Sequence, residues 1–132
     1  MRFDYVLDTS AMIARFRGET GGDLVESILA EKRCAMHTVN VAEFCLTLPR
    51  KTEQRITPEA ATGLLDAAGI MRVELMTDPF LWLAARVRLA NPPLSVGDGL
   101  AVALASVLGV PLLVTEKAFE KAAEFATIKR IR

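Results

Sequence analysis

Two cysteines, one histidine and a net charge of zero limit what this chain of 132 residues can do. Cys34 and Cys45 are too few for a disulfide framework, and even together with His37 they lack the number and spacing of a closed zinc site. Both cysteines lie in apolar segments, where buried thiols are common, so a reducing cytoplasm is the simplest setting. A histidine-based mechanism would depend on His37 alone.

Charge and hydropathy exclude further classes of protein. The 16 basic and 16 acidic residues cancel, which argues against a tight, non-specific binder of nucleic acid but allows an acidic pocket with a basic rim. The longest uncharged run, residues 99–115, is shorter than the ~20 apolar residues that a membrane helix needs. Asp4 and Asp8 interrupt any secretory signal near the start. We therefore expect a soluble, cytoplasmic protein without membrane contact.

Alternating strand and helix signals predict an α/β fold with one domain, residues 1–132. The predicted strands are 5–7, 34–38, 71–75, 111–114 and an edge strand at 126–129. The predicted helices are 11–16, 23–30, 40–48, 58–68, 78–89, 95–108 and 117–121, with Pro49 ending the third. The alternation is typical of a parallel sheet of four to five strands that is covered on both faces.

Four acidic residues stand at the predicted starts of helices, and they are Asp8, Glu43, Asp98 and Glu116. Asp8 directly follows a predicted strand, and Glu116 stands two residues after another. In an open α/β sheet the carboxyl ends of the strands and the neighbouring helix starts form the ligand crevice, so these carboxylates are expected in one pocket. Clustered carboxylates repel one another unless cations are bound, and all-oxygen ligation favours Mg²⁺ or Mn²⁺. The pattern predicts metal-dependent hydrolysis of a phosphodiester.

Each of these four positions also has a purely structural interpretation. A carboxylate at a helix start accepts hydrogen bonds from free N–H groups or interacts favourably with the helix dipole. Glu43 and Asp98 stand three residues after Asn40 and Ser95, which is the spacing of a capping box. Capping does not explain why the acids recur along one predicted sheet edge. It also leaves unexplained the glycines on both sides of Asp98, which we expect to leave room for a ligand.

Four segments resemble the sequence blocks of PIN-domain nucleases. They are LDTSA at 7–11, VAEF at 41–44, SVGDGLAVALA at 95–105 and LVTEKAF at 113–119. Their order and spacing match over essentially the whole chain, and the short length is similar to that of VapC-type toxins of prokaryotic toxin–antitoxin pairs. The resemblance implies a three-layer α/β/α fold and an Mg²⁺- or Mn²⁺-dependent endoribonuclease.

The resemblance also implies roles for particular residues. Asp8, Glu43 and Asp98 match the family's catalytic, metal-binding acids, and Glu116 stands where a fourth acid, usually aspartate, is found. Two hydroxyl residues in the first and fourth blocks are assigned supporting roles, and they are Ser10 and Thr115. The implied partners are an RNA substrate, a cognate antitoxin that covers the site, and a second copy in a homodimer.

A basic rim must then hold the RNA backbone, and the candidates are Arg15, Arg17, Arg50, Lys51, Arg55 and Lys117. Three alternatives stay open. An inactive PIN-like binding module is one, because Glu116 is longer than aspartate. A phosphatase with Asp8 as nucleophile is less favoured, because Ser10 stands where such enzymes need a second aspartate. A phosphorylated receiver domain would need an acidic pair after the first strand, and Asp8 is followed by Thr9.

Overall fold

The computed structural model describes residues 2–53 and 55–132, so Met1 and Gln54 of the predicted domain lie outside the described residues. Its strands are β1 (Tyr5–Leu7), β2 (Cys34–His37), β3 (Met71–Val73), β4 (Leu112–Val114) and β5 (Ile128–Arg130). They form one sheet in the order β3-β2-β1-β4-β5, and every neighbouring pair is parallel. The predicted parallel sheet and its edge strand β5 are confirmed.

Helices cover both faces of the sheet. The α-helices are α1 (Thr9–Arg17), α2 (Gly22–Glu31), α3 (Thr38–Lys51), α4 (Pro58–Ala67), α5 (Asp78–Ala90) and α6 (Val96–Leu108), and a 3₁₀ helix spans Lys117–Glu124. One core packs α1 to α4 against the sheet, and a second core packs α5, α6 and the 3₁₀ helix against the opposite face. The three-layer α/β/α fold is therefore confirmed.

The strands supply side chains to both cores in alternation. Leu7 and Leu113 face α1 to α4, whereas Val6 and Leu112 face α5 and α6, and all four are fully buried. Successive strand residues point to opposite faces, so a strand that is covered on both sides must be apolar throughout. This requirement explains the short, continuous apolar runs in the sequence.

The strand order changes direction between β1 and β4. From β1 the chain builds outward through β2 and β3, and it then returns to place β4 on the other side of β1. Leu7 is opposite Leu113 in this pair, so Asp8 lies just beyond the carboxyl ends of both strands. Helix α6 leads into β4 through a connection of three residues, 109–111, so the end of α6 lies near the start of β4. Ligands of open α/β sheets bind at such a switch point.

Helix α3 differs most from its prediction. It begins at Thr38, where the Nδ1 atom of His37 accepts a hydrogen bond of 3.1 Å from the Val39 N–H. The predicted capping box of Asn40 and Glu43 is therefore wrong, and Glu43 lies inside the helix. Pro49 also does not end α3, which continues to Lys51, because only one N–H is lost close to the helix end.

His37 has a structural place in this fold. Its ring is fully buried, stacks on Phe80 with 5.4 Å between the ring centres, and places Nε2 3.0 Å from the Leu75 carbonyl oxygen. Cys34 and Cys45 are both free thiols. Among the described residues, no helix is long and apolar enough to cross a membrane.

Candidate active site

A pocket of about 320 Å³ opens at the carboxyl ends of β1 and β4. Its lining includes the four acids and the two supporting hydroxyl residues that the sequence predicted, namely Asp8, Ser10, Glu43, Asp98, Thr115 and Glu116. These residues come from four separate parts of the chain, and the switch point brings them together. Their chemical roles remain predictions.

Asp8 lies at the bottom of this pocket and is 2% exposed. It caps α1, because Oδ1 accepts a hydrogen bond of 3.0 Å from the Ala11 N–H. The pKa of Asp8 is raised from 3.8 to about 7, and burial of the carboxyl is the largest cause. The hydrogen bonds from Ser10 and Ala11 lower this pKa, whereas the charges of Asp98 and Glu116 contribute to raising it. The carboxyl is therefore poised between its protonated and ionised forms near neutral pH.

Ser10 connects the ends of β1 and β4. Its Oγ donates to the Asp8 carboxylate, 2.8 Å from Oδ1 and 2.7 Å from Oδ2. The same oxygen accepts a hydrogen bond of 3.3 Å from the Thr115 N–H. The backbone after β4 thus orients the hydroxyl that holds Asp8.

Helix α3 directly follows β2, so it starts at the edge of the sheet where β2 ends. Glu43 reaches the pocket from the second turn of this helix. Its Oε1 accepts hydrogen bonds from Thr9 Oγ1 at 3.1 Å and from Asn40 Nδ2 at 2.8 Å. A Cβ atom on Gly97 would lie 2.6 Å from the Glu43 Cδ atom. Gly97 therefore leaves room for this carboxylate rather than for a ligand, which corrects the expectation from sequence.

Gly99 also has a packing role in place of the expected ligand role. A Cβ atom there would lie 2.9 Å from the carbonyl oxygen of Ala84, so the missing side chain lets α6 approach α5 closely. Glycine on both sides of Asp98 thus serves two contacts within the protein.

Asp98 combines a structural and a pocket position. Its Oδ2 accepts a hydrogen bond of 2.9 Å from the Ser95 N–H, and Ser95 Oγ accepts one of 3.1 Å from the Asp98 N–H. This reciprocal pair is the capping box predicted at α6. Glu116 differs, because it precedes the 3₁₀ helix and, in the described chain, makes no side-chain capping bond. Its exposed carboxylate is free to face the pocket.

The pocket also carries charges that sequence reasoning missed. The basic residues predicted for the rim all lie in the described ranges, and Lys51 is the one that lines the pocket. Arg132 and Glu19 also line it, and the sequence predicted neither. Arg132 Nη2 lies 2.7 Å from Glu19 Oε1, and its Nε donates to the Thr20 carbonyl at 3.0 Å. More than a hundred residues separate these partners in sequence, so no local pattern could have marked them.

The other predicted rim residues do not line the pocket. Arg15 pairs with Glu26 at 3.2 Å, and Arg17 pairs with Glu19 at 2.7 Å. Arg50 lines an apolar groove together with Pro49 and Pro58. Arg55 and Lys117 are exposed, and the pocket lining includes neither.

The donor chemistry of the pocket fits a hard divalent cation. Its candidate ligands are all oxygen atoms, and the two charges that act on buried Asp8 are both negative. Across residues 2–53 and 55–132, no three carboxylate, imidazole or thiol groups are close enough to hold a metal ion as they stand. The carboxylates therefore share the pocket without converging on one point.

Comparison with known proteins agrees with this geometry. The family model of the PIN domain matches residues 5–125. Ribonuclease VapC42 of Mycobacterium tuberculosis is 32% identical over 116 residues, which cover 82% of this chain and 87% of that protein. A toxin–antitoxin complex from Klebsiella pneumoniae shares the fold with a TM-score of 0.72, 14% identity and 98% coverage of each chain.

A second solved structure is similar over its full length. The crystal structure of Mycobacterium tuberculosis VapC20, a sarcin-ricin loop cleaving toxin, matches with a TM-score of 0.71 and 20% identity, covering 96% of this chain and 99% of that one. Sequence, fold and the acidic pocket at the switch point lead to the same assignment. The chain belongs to the PIN-domain family.

Proposed function

We propose that this protein is a divalent-metal-dependent endoribonuclease and the toxin of a toxin–antitoxin pair. One observation carries the proposal: Asp8, Glu43, Asp98 and Glu116 line a single pocket at the switch point. The 32% identity to ribonuclease VapC42 supports RNA as the substrate. The solved toxin–antitoxin complex with the same fold supports an antitoxin as partner.

The four acids would hold Mg²⁺ or Mn²⁺, with Asp8, Glu43 and Asp98 as the main ligands and Glu116 beside them. When bound, such an ion lowers the pKa of a water molecule and neutralises charge that develops on the phosphate. Asp8 must lose its proton to serve as a ligand. The hydrogen bonds from Ser10 and from the Ala11 N–H favour the ionised form and so prepare the carboxylate for this role.

Lys51 and Arg132 would hold the RNA backbone at the mouth of the pocket. Both are exposed, and both line a pocket whose other charged groups are acidic. Phosphates that approach carboxylates need nearby cations, and a guanidinium group can bind a phosphate through two parallel hydrogen bonds. Glu19 and the Thr20 carbonyl restrict the Arg132 side chain, so less freedom is lost when it binds.

A second copy of the chain would cover the apolar surface next to the pocket. Met76, Leu81, Leu89 and Val96 are exposed by 50%, 38%, 80% and 64% and line one groove between α5 and α6. Contiguous exposed apolar side chains mark interaction surfaces. Val96 stands two residues before Asp98, so a dimer through this groove would place each site near the interface.

RNA cleavage by the purified protein tests the proposal, with Mg²⁺, Mn²⁺ or EDTA present. Asp98→Asn is the informative variant, and Asp78→Asn is the matched control, since Asp78 also lies in the first turn of a helix but outside the pocket. Cleavage that needs a divalent ion, is lost in Asp98→Asn and persists in Asp78→Asn would support the proposal. No cleavage by folded, partner-free protein with either ion would favour the alternative, an inactive binding module with Glu116 as the altered ligand.

A further inference from the structure

Asn40 lies directly behind the pocket acid Glu43, and its side chain connects two helices. The residue is 1% exposed and sits one turn before Glu43 in α3. Its Nδ2 donates to Glu43 Oε1 at 2.8 Å and to the carbonyl oxygen of Gly97 at 3.1 Å. Gly97 is the residue before Asp98, so one amide group contacts both the Glu43 carboxylate and the backbone that carries Asp98.

These two contacts determine the orientation of the amide. Both facing atoms, Glu43 Oε1 and the Gly97 carbonyl oxygen, are hydrogen-bond acceptors. A rotated amide would place its oxygen against them, and an aspartate at this position would add a like charge. Asn40 Oδ1 is left buried without a hydrogen-bond partner among the described residues. Such an unpaired acceptor costs stability, whereas the donor side of the amide connects Glu43 to the backbone of α6.

The surroundings of Glu43 leave its carboxylate little freedom. The hydroxyl of Thr9 donates to the same Oε1 atom at 3.1 Å, and it also lies 3.2 Å from the carbonyl oxygen of Asn40. The missing side chain of Gly97 gives the carboxylate its space on the side of α6. Among the described residues, the hydrogen bonds to this carboxylate all end on Oε1, so they orient the group through one of its two oxygens.

We propose that Asn40 is a positioning residue that sets the affinity of the pocket for a divalent cation by fixing Glu43 relative to Asp98. This inference rests on the proposed metal-dependent function. Outer partners that orient metal ligands change metal affinity by about 10- to 100-fold when they are removed. Asn40 is expected to act in this way through Glu43, without touching the ion.

Mn²⁺ binding measured by calorimetry tests the role of Asn40. Asn40→Leu keeps the approximate volume but removes both donated hydrogen bonds. The matched control is Asn91→Leu: Asn91 is 3% exposed, donates from Nδ2 to the Val87 carbonyl at 2.9 Å and lies outside the pocket. We expect Asn40→Leu to weaken Mn²⁺ binding about tenfold or more, whereas Asn91→Leu lowers the melting temperature but leaves binding unchanged.

A reciprocal exchange separates positioning from general stability. In the double variant Asn40→Asp/Glu43→Gln, the new amide can donate to the new carboxylate, so the melting temperature should recover relative to Asn40→Asp while Mn²⁺ binding stays weak. Asn40→Ser is a milder second variant if Asn40→Leu does not fold, and it too should weaken Mn²⁺ binding.

The outcomes distinguish this inference from the proposed function. Equal loss of Mn²⁺ affinity in the Asn40 and Asn91 variants, or no loss in either, would overturn the role of Asn40. Wild-type protein that binds Mn²⁺ but does not cleave RNA would remove the nuclease proposal and leave the role of Asn40 intact. Wild-type protein that binds no Mn²⁺ would overturn both.

Discussion

The hydroxyl of Ser10 lies within hydrogen-bonding distance of both carboxylate oxygens of Asp8, at 2.8 and 2.7 Å. This contact lowers the pKa of a carboxyl whose pKa is nevertheless raised to about 7, with burial as the largest cause. A group that hydrogen-bonds to the charged form stabilises that form, so Ser10 favours the ionised Asp8 that a metal ion requires.

Ser10→Ala should therefore raise the pKa of Asp8 further and weaken Mn²⁺ binding at pH 7. The deficit should shrink towards pH 9, where Asp8 is ionised in both proteins. Calorimetric titration with Mn²⁺ at several pH values measures this difference. Ser27→Ala is the control, because the Ser27 hydroxyl donates to the Leu24 carbonyl outside the pocket. A deficit that does not depend on pH would contradict the assigned role of Ser10.

Asp8→Asn should stabilise the metal-free protein at pH 8. Between pH 3.8 and about pH 7 the folded protein keeps the Asp8 proton that the unfolded chain has released. Stability therefore falls as the pH rises through this interval, and the full cost, about 4 kcal/mol, remains at higher pH. Asparagine has no charge to desolvate and still caps a helix.

Thermal unfolding in EDTA checks this expectation. The melting temperature of Asp8→Asn should exceed that of the wild type at pH 8, and the two should converge towards pH 4. Added Mg²⁺ should raise the melting temperature of the wild type more than that of the variant, because a ligand that binds only the folded state stabilises it. A variant that melts below the wild type at pH 8 in EDTA would show that burial of the charge is not the dominant cost.

Arg132→Gln should raise KM for RNA with little change in kcat. The slope of log(kcat/KM) against log[salt] should become shallower by about 0.7, the value for one phosphate contact with a single strand. Lys51→Gln should act in the same way. Arg72→Gln is the matched control, since Arg72 forms an exposed ion pair with Asp66 at 2.7 Å and does not line the pocket. A KM effect that is equal in Arg72→Gln and Arg132→Gln would exclude a specific contact.

Leu89→Glu should convert a dimer into a monomer. Leu89 is 80% exposed in the groove between α5 and α6, where a buried carboxylate would be strongly unfavourable. Sedimentation velocity at several concentrations gives the oligomeric state. The control is Leu46→Glu on α3, an exposed leucine outside this groove. If wild type and Leu89→Glu sediment alike, then this groove does not hold a second copy.

The sequence by itself determined the elements whose signals are local. Apolar runs located β1, β2 and β4, and the capping box of Ser95 and Asp98 marked the start of α6. Gly18 ends α1, with a φ of 64° that glycine adopts at little cost. The sequence also shows the alternation of strands and helices. This alternation predicted a parallel sheet with the acidic residues at the carboxyl ends of its strands.

The tertiary structure alone decided how the acids are supported. Asn40 has the spacing of a cap to Glu43, but packing extends α3 back to His37 and turns that pair into a side-chain contact inside the helix. Gly97 appeared to make room for a ligand, whereas its space is taken by Glu43. Arg132 meets Glu19 only because β5 returns to the sheet beside β4. Spacing along a chain reports neighbours one or two turns away, whereas contacts between distant segments depend on how the cores pack.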